Sequence, residues 1–503
     1  MKKTVSLTLI CCLPFFISFA QSYPLEFRPE ASGFAFNGGP GSWQMRIAAN
    51  EPHHTALISF ADRSDVYYYL VDTQFNVIHQ YSESKDSLTF NYYGSKYDVI
   101  LQAATGSSFV NYILKKNSNE VFVETPDFDQ GISVFNKFIV FPEKEKFLTA
   151  FVNNGHVYFL THRKNSSQLN FYKDSNPIPN RVNLEMRDSL PDFDLEGSLN
   201  GEIKVIKESK EPGLIETQAK AKLYLQPAGS LVLTLDKDYR YTVLWRIDID
   251  DSVCVGKKFE KTYSNCNYLS NANAVQTNSF VYQDKLLQAV FCNKDLLMQL
   301  KDISTSSVIG EYHAVRDSAI GFASSGLITK LEGAREYKGI LEEKEKDDGG
   351  RSVKDLKTKE FFKAVNRSEL SLLIVPQGDY LVIKTGEAHT VTRQGQGIGF
   401  SSFGATGAII SGVRMMFSVE VYASKTGQSE TYITTLLKKR DLELVPQTSI
   451  VTKYDKIDRL ADRLKDIQAA GTAFDFNNNT YFFYWHKKLK KMMIEWVDDP
   501  ASP

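Results

Sequence analysis

Tryptophan (4), methionine (8), histidine (8) and cysteine (5) are scarce in this chain of 503 residues, and neither charge dominates, with Lys+Arg 59 against Asp+Glu 60. The missing positive excess excludes a nucleic-acid binder that works by bulk phosphate neutralisation. No HExxH, no histidine pair at helical spacing and no CxxC occurs, so no zinc site is expected. A GxSxG elbow is also missing, and no glycine-rich loop ends in the Lys-Ser/Thr of a phosphate cradle. The sequence therefore nominates no metal and no cofactor. Its longest apolar run, residues 5–19, is too short for a comfortable transmembrane helix.

That run reads instead as a secretory signal over residues 1–20. Lys2 and Lys3 supply the charged start, and Ser18 and Ala20 place small residues at −3 and −1, predicting cleavage before Gln21. A lipid anchor on Cys11 or Cys12 is not expected, because Ile10 and Cys11, not small residues, precede them. The mature chain is expected outside the cytoplasm, periplasmic or secreted. Three cysteines survive cleavage, and an oxidising compartment favours a bridge. Cys254 and Cys266 are the expected pair, since they close a short polar loop, whereas Cys292 ends an apolar run and reads as a small core residue.

What the chain has in plenty is Tyr (25) and Phe (33), set in apolar runs separated by polar turns. Eight such hairpins are expected: 66–71 with 75–81, 109–114 with 121–123, 157–160 with 169–172, and 231–235 with 241–247. The rest are 286–291 with 296–300, 371–375 with 380–383, 416–422 with 431–437, and 481–485 with 492–496. The first three begin at Val66, Phe109 and Val157, 43 and 48 residues apart, the period of a β-propeller blade. No Trp-Asp dipeptide or recurring double glycine marks a named repeat. The fold predicted is all-β: one propeller domain over 21–503, of about seven or eight blades. The alternative is two consecutive β domains, divided near residues 332–363.

Two stretches break the pattern. Residues 332–363 are dense in both charges and read as a solvated insertion, ending in a helix over 352–365 that touches the body through Val353, Leu356 and Phe361. Residues 453–468 carry Ile457, Leu460, Leu464 and Ile467 on one helical face, predicting a short amphipathic helix packed on the sheets.

Chemistry is thinly signposted. Arg246, Asp248 and Asp250 share one strand face by period two, and paired carboxylates are what sugar hydrolysis requires. The segment from Asp192 starts like a calcium loop, but its twelfth position is Ile203 and not Glu. Residues 394–413 contain no charge and are rich in glycine, so Gly397, Phe400 and Phe403 stand as candidates for an apolar flap with peripheral membrane contact. Taken together, the sequence predicts a non-enzymatic propeller that binds or scaffolds a protein partner in the cell envelope. The alternative is a polysaccharide-active hydrolase or lyase, or a glycan binder, using Asp248 and Asp250 near the channel. Closure is expected to join both chain ends in one sheet, with Phe482, Tyr484 or Trp496 near the N-terminal strands.

Overall fold

The computed structural model describes residues 22–25, 44–61, 65–84, 97–105, 107–175, 179–191, 193–199, 203–207, 211–227, 229–262, 275–331, 351–354, 357–390, 416–417, 421–422, 428–446, 451–464, 468–486, 488–489 and 491–497. The expected signal, the 394–413 segment and most of the charged insertion lie outside these residues.

Seven sheets of four to six strands follow one another along the chain, mostly as antiparallel meanders. Blade one is Gln44–Asn50, Thr55–Ala61, Asp65–Asp72 and Val77–Ser84, and blade two is Tyr97–Thr105, Ser108–Lys115, Glu120–Asp127 and Ile132–Val140. The inner strands touch their neighbours: Tyr97–Thr105 meets Gln44–Asn50 and Glu145–Asn153, and Gln44–Asn50 also meets Gln468–Phe476. Further round, Gln276–Tyr282 meets Leu370–Gln377. The chain is a β-propeller.

Seven of the eight expected hairpins pair as read, one in each blade. The eighth does not form. Strand Gln428–Lys438 has one edge taken by Tyr380–Thr390 and the other by Leu327–Leu331 and Leu444–Val445, which leaves no edge for residues 416–422. Met416–Phe417 instead adds in parallel to Tyr97–Thr105 inside blade two, and Val421–Tyr422 adds to Gln468–Phe476 inside blade seven. The expected 43-residue spacing was also out of step by one strand. Val66 lies in the third strand of blade one, whereas Phe109 and Val157 lie in second strands.

Blade four departs from the meander at the axis. Its inner strand Ile203–Lys207 is parallel to Ala221–Leu225, and the link between them carries the helix Leu214–Thr217. That helix packs on blade-six strands Leu370–Gln377 and Tyr380–Thr390, so the link crosses between blades. Leu214 and Ile206 join the apolar core of blades five and six, beside Phe280, Leu372 and Ile383.

Both ends of the chain meet in blade seven, where Ser22–Leu25 pairs antiparallel with Lys491–Trp496. Trp496 packs on the core shared with blade one, where Phe75 lies edge-on to Phe474, Phe476 and Tyr481. Phe482 and Tyr484 face the other way, onto the amphipathic helix, which spans Lys453–Arg463 and buries Ile457 and Leu460, with Leu464 just past its end buried beside them. Thr452 and Asp455 cap it reciprocally: each side chain accepts from the other's backbone N–H, at 3.0 and 3.2 Å. The helix expected over 352–365 is shorter. Arg351–Lys354 is a strand, and the helix runs Thr358–Val365 with Phe361, Phe362 and Val365 buried.

The cysteine expectation is corrected. Cys254 is a free thiol, half-buried with its sulfur 3.3 Å from the Met186 sulfur, and burial pushes its pKa up to about 12. Cys292 is the disulfide-bonded cysteine, and its partner lies outside the described residues. Cys292 ends its strand at a turn, where a loop can reach it; the apolar run before it disguised that position.

Candidate functional site

The predicted carboxylates sit away from the axis. Strand Tyr241–Asp248 is fourth of five counting outward in blade four, with Trp245, Ile247 and Ile249 buried and Arg246, Asp248 and Asp250 exposed. The face that the three share is a solvent face. Asp248 accepts the Asp251 N–H at 3.1 Å, closing a turn, and Asp250, 82% exposed, lies 3.7 Å from Lys173. Asp194, from the calcium-like segment, caps the helix Leu195–Ser198 by accepting the Gly197 N–H at 2.9 Å. Among the described residues no three His, Cys, Asp or Glu side chains group as metal ligands, and no helix is long and apolar enough to cross a membrane. Gly397, Phe400, Phe403 and Cys266 lie outside the described residues.

What the sequence did not reveal is a set of buried carboxylates joining blades. One of them is Asp236, 1% exposed, between blades four and five. Its carboxylate accepts from Thr242 Oγ1 at 2.6 Å and Ser279 Oγ at 2.5 Å, with Lys261 Nζ at 3.3 Å and Lys222 Nζ at 3.6 Å. All three ionic side chains are sealed from solvent. Lys222 also donates to Asn278 Oδ1 at 2.8 Å, and Lys261 donates to Thr277 Oγ1 and the Asp238 carbonyl at 3.1 Å each. Asn278 in turn donates to the carbonyls of Thr217 and Leu370, at 2.9 and 2.6 Å, tying the crossing helix and blade six into the same network. A similar knot holds Glu211, which accepts from Lys384 Nζ at 2.5 Å and Thr452 Oγ1 at 3.2 Å. In blades one and two, Glu124 accepts from Tyr68 OH at 2.9 Å and Asn111 Nδ2 at 2.6 Å. The partners come from separate strands and loops, so no local motif records the set.

Two ammonium groups share one carboxylate at Asp236, and the electrostatics follow. Burial lowers Lys222 to about 8 and also lowers Lys261. Burial opposes ionisation of Asp236 too, but Lys261 and Lys222, helped by the two hydroxyls, hold it well below the usual carboxylate range. Lys222 binds its proton less tightly folded than unfolded, so unfolding takes up protons between the two pKa values. Stability is therefore expected to rise from pH 8 toward 9.5, by up to about 2 kcal/mol from this group. Above that, tyrosines ionise more readily in the unfolded chain than at buried sites such as Tyr69, and stability turns down. Urea unfolding across pH 7–9.5 checks this. Lys222→Met should flatten the rise, and an equal rise in that variant would assign it elsewhere.

These ionic groups face inward and serve packing, which leaves the outer rim as the accessible candidate surface. There the outermost strands of blades one and two lie side by side: Tyr81 OH is 3.0 Å from Ser133 Oγ, and the Ser133 N–H donates to Glu83 at 3.1 Å. On these two outer strands Val77, Ile78, Ile132 (44%), Val134 (42%) and Val140 (54%) stand exposed, and His79 lies against the Phe128 ring. Clustered β-branched residues in water cost free energy that a covering partner recovers.

No protein-family model matches the chain, and no curated protein matches it in sequence. Among solved structures it is similar to a prolyl endopeptidase, at 8% identity and TM-score 0.34, covering 88% of this chain and 46% of that one. The chain thus spans about half the length of that protein. It is also similar to the WD40 domain of SCAP from fission yeast, at 10% identity and TM-score 0.31 over 90% of this chain and 82% of that one. The Dos1 propeller matches at 8% identity and TM-score 0.32, over 92% and 85%. Likenesses this distant leave function open, and the fold rests on seven sheets closed by the pairing of the two chain ends.

Proposed function

We propose that this protein is a non-enzymatic propeller that scaffolds a protein partner in the cell envelope, gripping it on the outer rim of blades one and two. The exposed valines and isoleucines of the two outer strands, Val77, Ile78, Ile132 and Val134, carry the reading, because they stand on the rims of adjacent blades of one rigid body. Rigid outer strands pay little ordering entropy on binding, which suits a scaffold. The signal-like residues 1–20 support an extracytoplasmic site of action.

A photo-cross-linking residue at Ile132, in cells making the protein, should give one discrete protein adduct in the envelope fraction. Val77→Glu with Val134→Glu should abolish it while the fold persists, since both side chains are solvent-facing. No adduct, or the same adduct from a control position at Val308 in blade five, would overturn the reading. N-terminal sequencing should begin at Gln21; retention of Met1 would remove the envelope from the proposal.

A further inference from the structure

We infer that the end of the propeller bearing the turn at Lys488 and Leu489 docks on an anionic lipid surface, with the Leu489 side chain entering it. The inference does not depend on the outer rim of blades one and two.

The formal net charge of −1 conceals a separation of charge between the two ends of the propeller. Antiparallel register sets the start of an inner strand level with the turn joining the second and third strands. Tyr97 pairs with Lys115 and Leu114 with Val121 in blade two, and Glu145 pairs with Arg163 in blade three. Gln276 pairs with Phe291 and Cys292 with Asp295 in blade five, and Gln468 pairs with His486 in blade seven. Contacts align neighbouring blades at this end. The Lys164 N–H donates to the Lys144 carbonyl at 2.8 Å, the Asn165 N–H to Glu196 at 2.9 Å, and Lys220 Nζ to the Thr277 carbonyl at 2.9 Å.

Five turns at this end lie among the described residues, in blades two, three, four, five and seven, and each carries a cation. Lys116 is half-exposed; Lys164, Lys237, Arg240, Lys294 and Lys488 are exposed. Apart from the sealed Asp236, the described residues of these turns hold one carboxylate, Asp238, which Arg240 takes at 2.7 Å. Lys164, Lys294 and Lys488 make no ion pair among the described residues, and neither do Lys144 and Lys146 on the link into blade three, where Glu143 is also exposed. Turns at the opposite end expose Asp129, Asp250, Asp251, Asp284 and Asp379. The exception there is blade six, where Lys439 and Arg440 stand beside Asp441 and Glu443. Charge of one sign spread over one end of a rigid body attracts an extended surface of the other sign, and each Lys or Arg near an anionic membrane adds to the attraction.

Lysines alone would fit any polyanion, and Leu489 narrows the class. It is 55% exposed, and its N–H donates to His486 Nδ1 at 3.2 Å, which holds the turn. The other exposed large apolar residues lie on outer strands; Leu489 alone sits in a turn among the described residues. In sequence it is the centre of Lys487-Lys488-Leu489-Lys490-Lys491. A leucine between lysines has nothing to bind on a sulfated or phosphorylated polymer. On a membrane it reaches the acyl boundary while the lysines stay at the headgroups.

The test is co-sedimentation of the chain purified without residues 1–20, using vesicles of phosphatidylcholine with 30% phosphatidylglycerol and vesicles of phosphatidylcholine alone. Partitioning at 50 mM salt should be at least tenfold stronger onto the anionic vesicles and should be lost at 500 mM. Lys164→Glu with Lys294→Glu should weaken it about tenfold or more; Lys144→Glu with Lys146→Glu is the second pair should the first lower the melting midpoint. Lys439→Glu with Arg440→Glu changes net charge equally at the opposite end and should leave partitioning unchanged. Leu489→Ser should weaken it about tenfold, and a tryptophan placed by Leu489→Trp should be quenched by brominated acyl chains. No partitioning, equal partitioning onto neutral vesicles, or equal loss from the blade-six pair would overturn the inference. Loss with the lysine pairs but neither loss with Leu489→Ser nor quenching of the tryptophan would assign this end to a soluble polyanion and overturn the lipid assignment.

Discussion

A chain cut after Asn478 should show no cooperative unfolding transition at all. The truncation removes Asn479–His486 and Lys491–Trp496 from blade seven and leaves Ser22–Leu25 without a strand to pair with. It strips Tyr481, Phe483, Met492 and Ile494 from the core shared with blade one, and Phe482, Tyr484, Met493 and Val497 from the core beneath the Lys453–Arg463 helix. Eight buried apolar side chains at roughly 1.5–3 kcal/mol each exceed the roughly 5–15 kcal/mol by which a typical domain is stable. An open repeat array would lose only its last unit, because each repeat touches only its neighbours. A ring has no last unit, and opening it exposes both flanks. Circular dichroism melting of the truncated chain, beside one lacking only Ser22–Leu25, checks this. The shorter deletion should lower the midpoint and keep a single transition. A native-like melt after the C-terminal cut would mean that the ring does not depend on its closing blade.

The same closure shows what sequence patterning carries and what it leaves out. Alternation and turn chemistry act over four to ten residues, and they located a true hairpin in every blade. They carry no label for radial position. The strands Gln44–Asn50 and Thr55–Ala61 form the inner half of blade one, and reading Val66 as the start of the repeat shifted the frame by one strand. Met416–Tyr422 misled for a related reason: a strand-forming run declares its propensity but not its partner, and its neighbour's edges were already occupied. Chemistry was less legible still. Asp248 and Asp250 drew notice because they sit two residues apart on one strand face, which is also how turn-forming carboxylates at an exposed strand end look. Asp236 drew none, since Lys222, Lys261 and Ser279 reach it from three other strands or loops. Exposed valines and isoleucines on Ile132–Val140 read only as another strand; that they form an edge depends on the sheet order.

Asp236→Ala should lower the unfolding free energy by about 3–5 kcal/mol at pH 6, the largest loss expected from any single substitution proposed for this chain. The reason is not the loss of one attraction but what remains. Lys222 and Lys261 would face each other in a solvent-free site with no anion between them, and the hydroxyls of Thr242 and Ser279 would lose their acceptor. The defect should spread beyond one blade, because Asn278, which accepts from Lys222, also fixes the crossing helix and blade six. A charge origin has a signature that a cavity lacks. Raising the pH lets the lysines stay in the site as neutral amines, so the penalty at pH 9.5 should be clearly smaller than at pH 6. Adding Lys222→Met to Asp236→Ala should also recover part of the loss, since it removes one stranded charge while keeping most of the side-chain volume. Urea unfolding of the three proteins at both pH values decides the matter. A penalty independent of pH and untouched by Lys222→Met would make Asp236 a packing residue and the ion cluster incidental. A penalty that shrinks on both counts would make charge balance the tie between blades four and five.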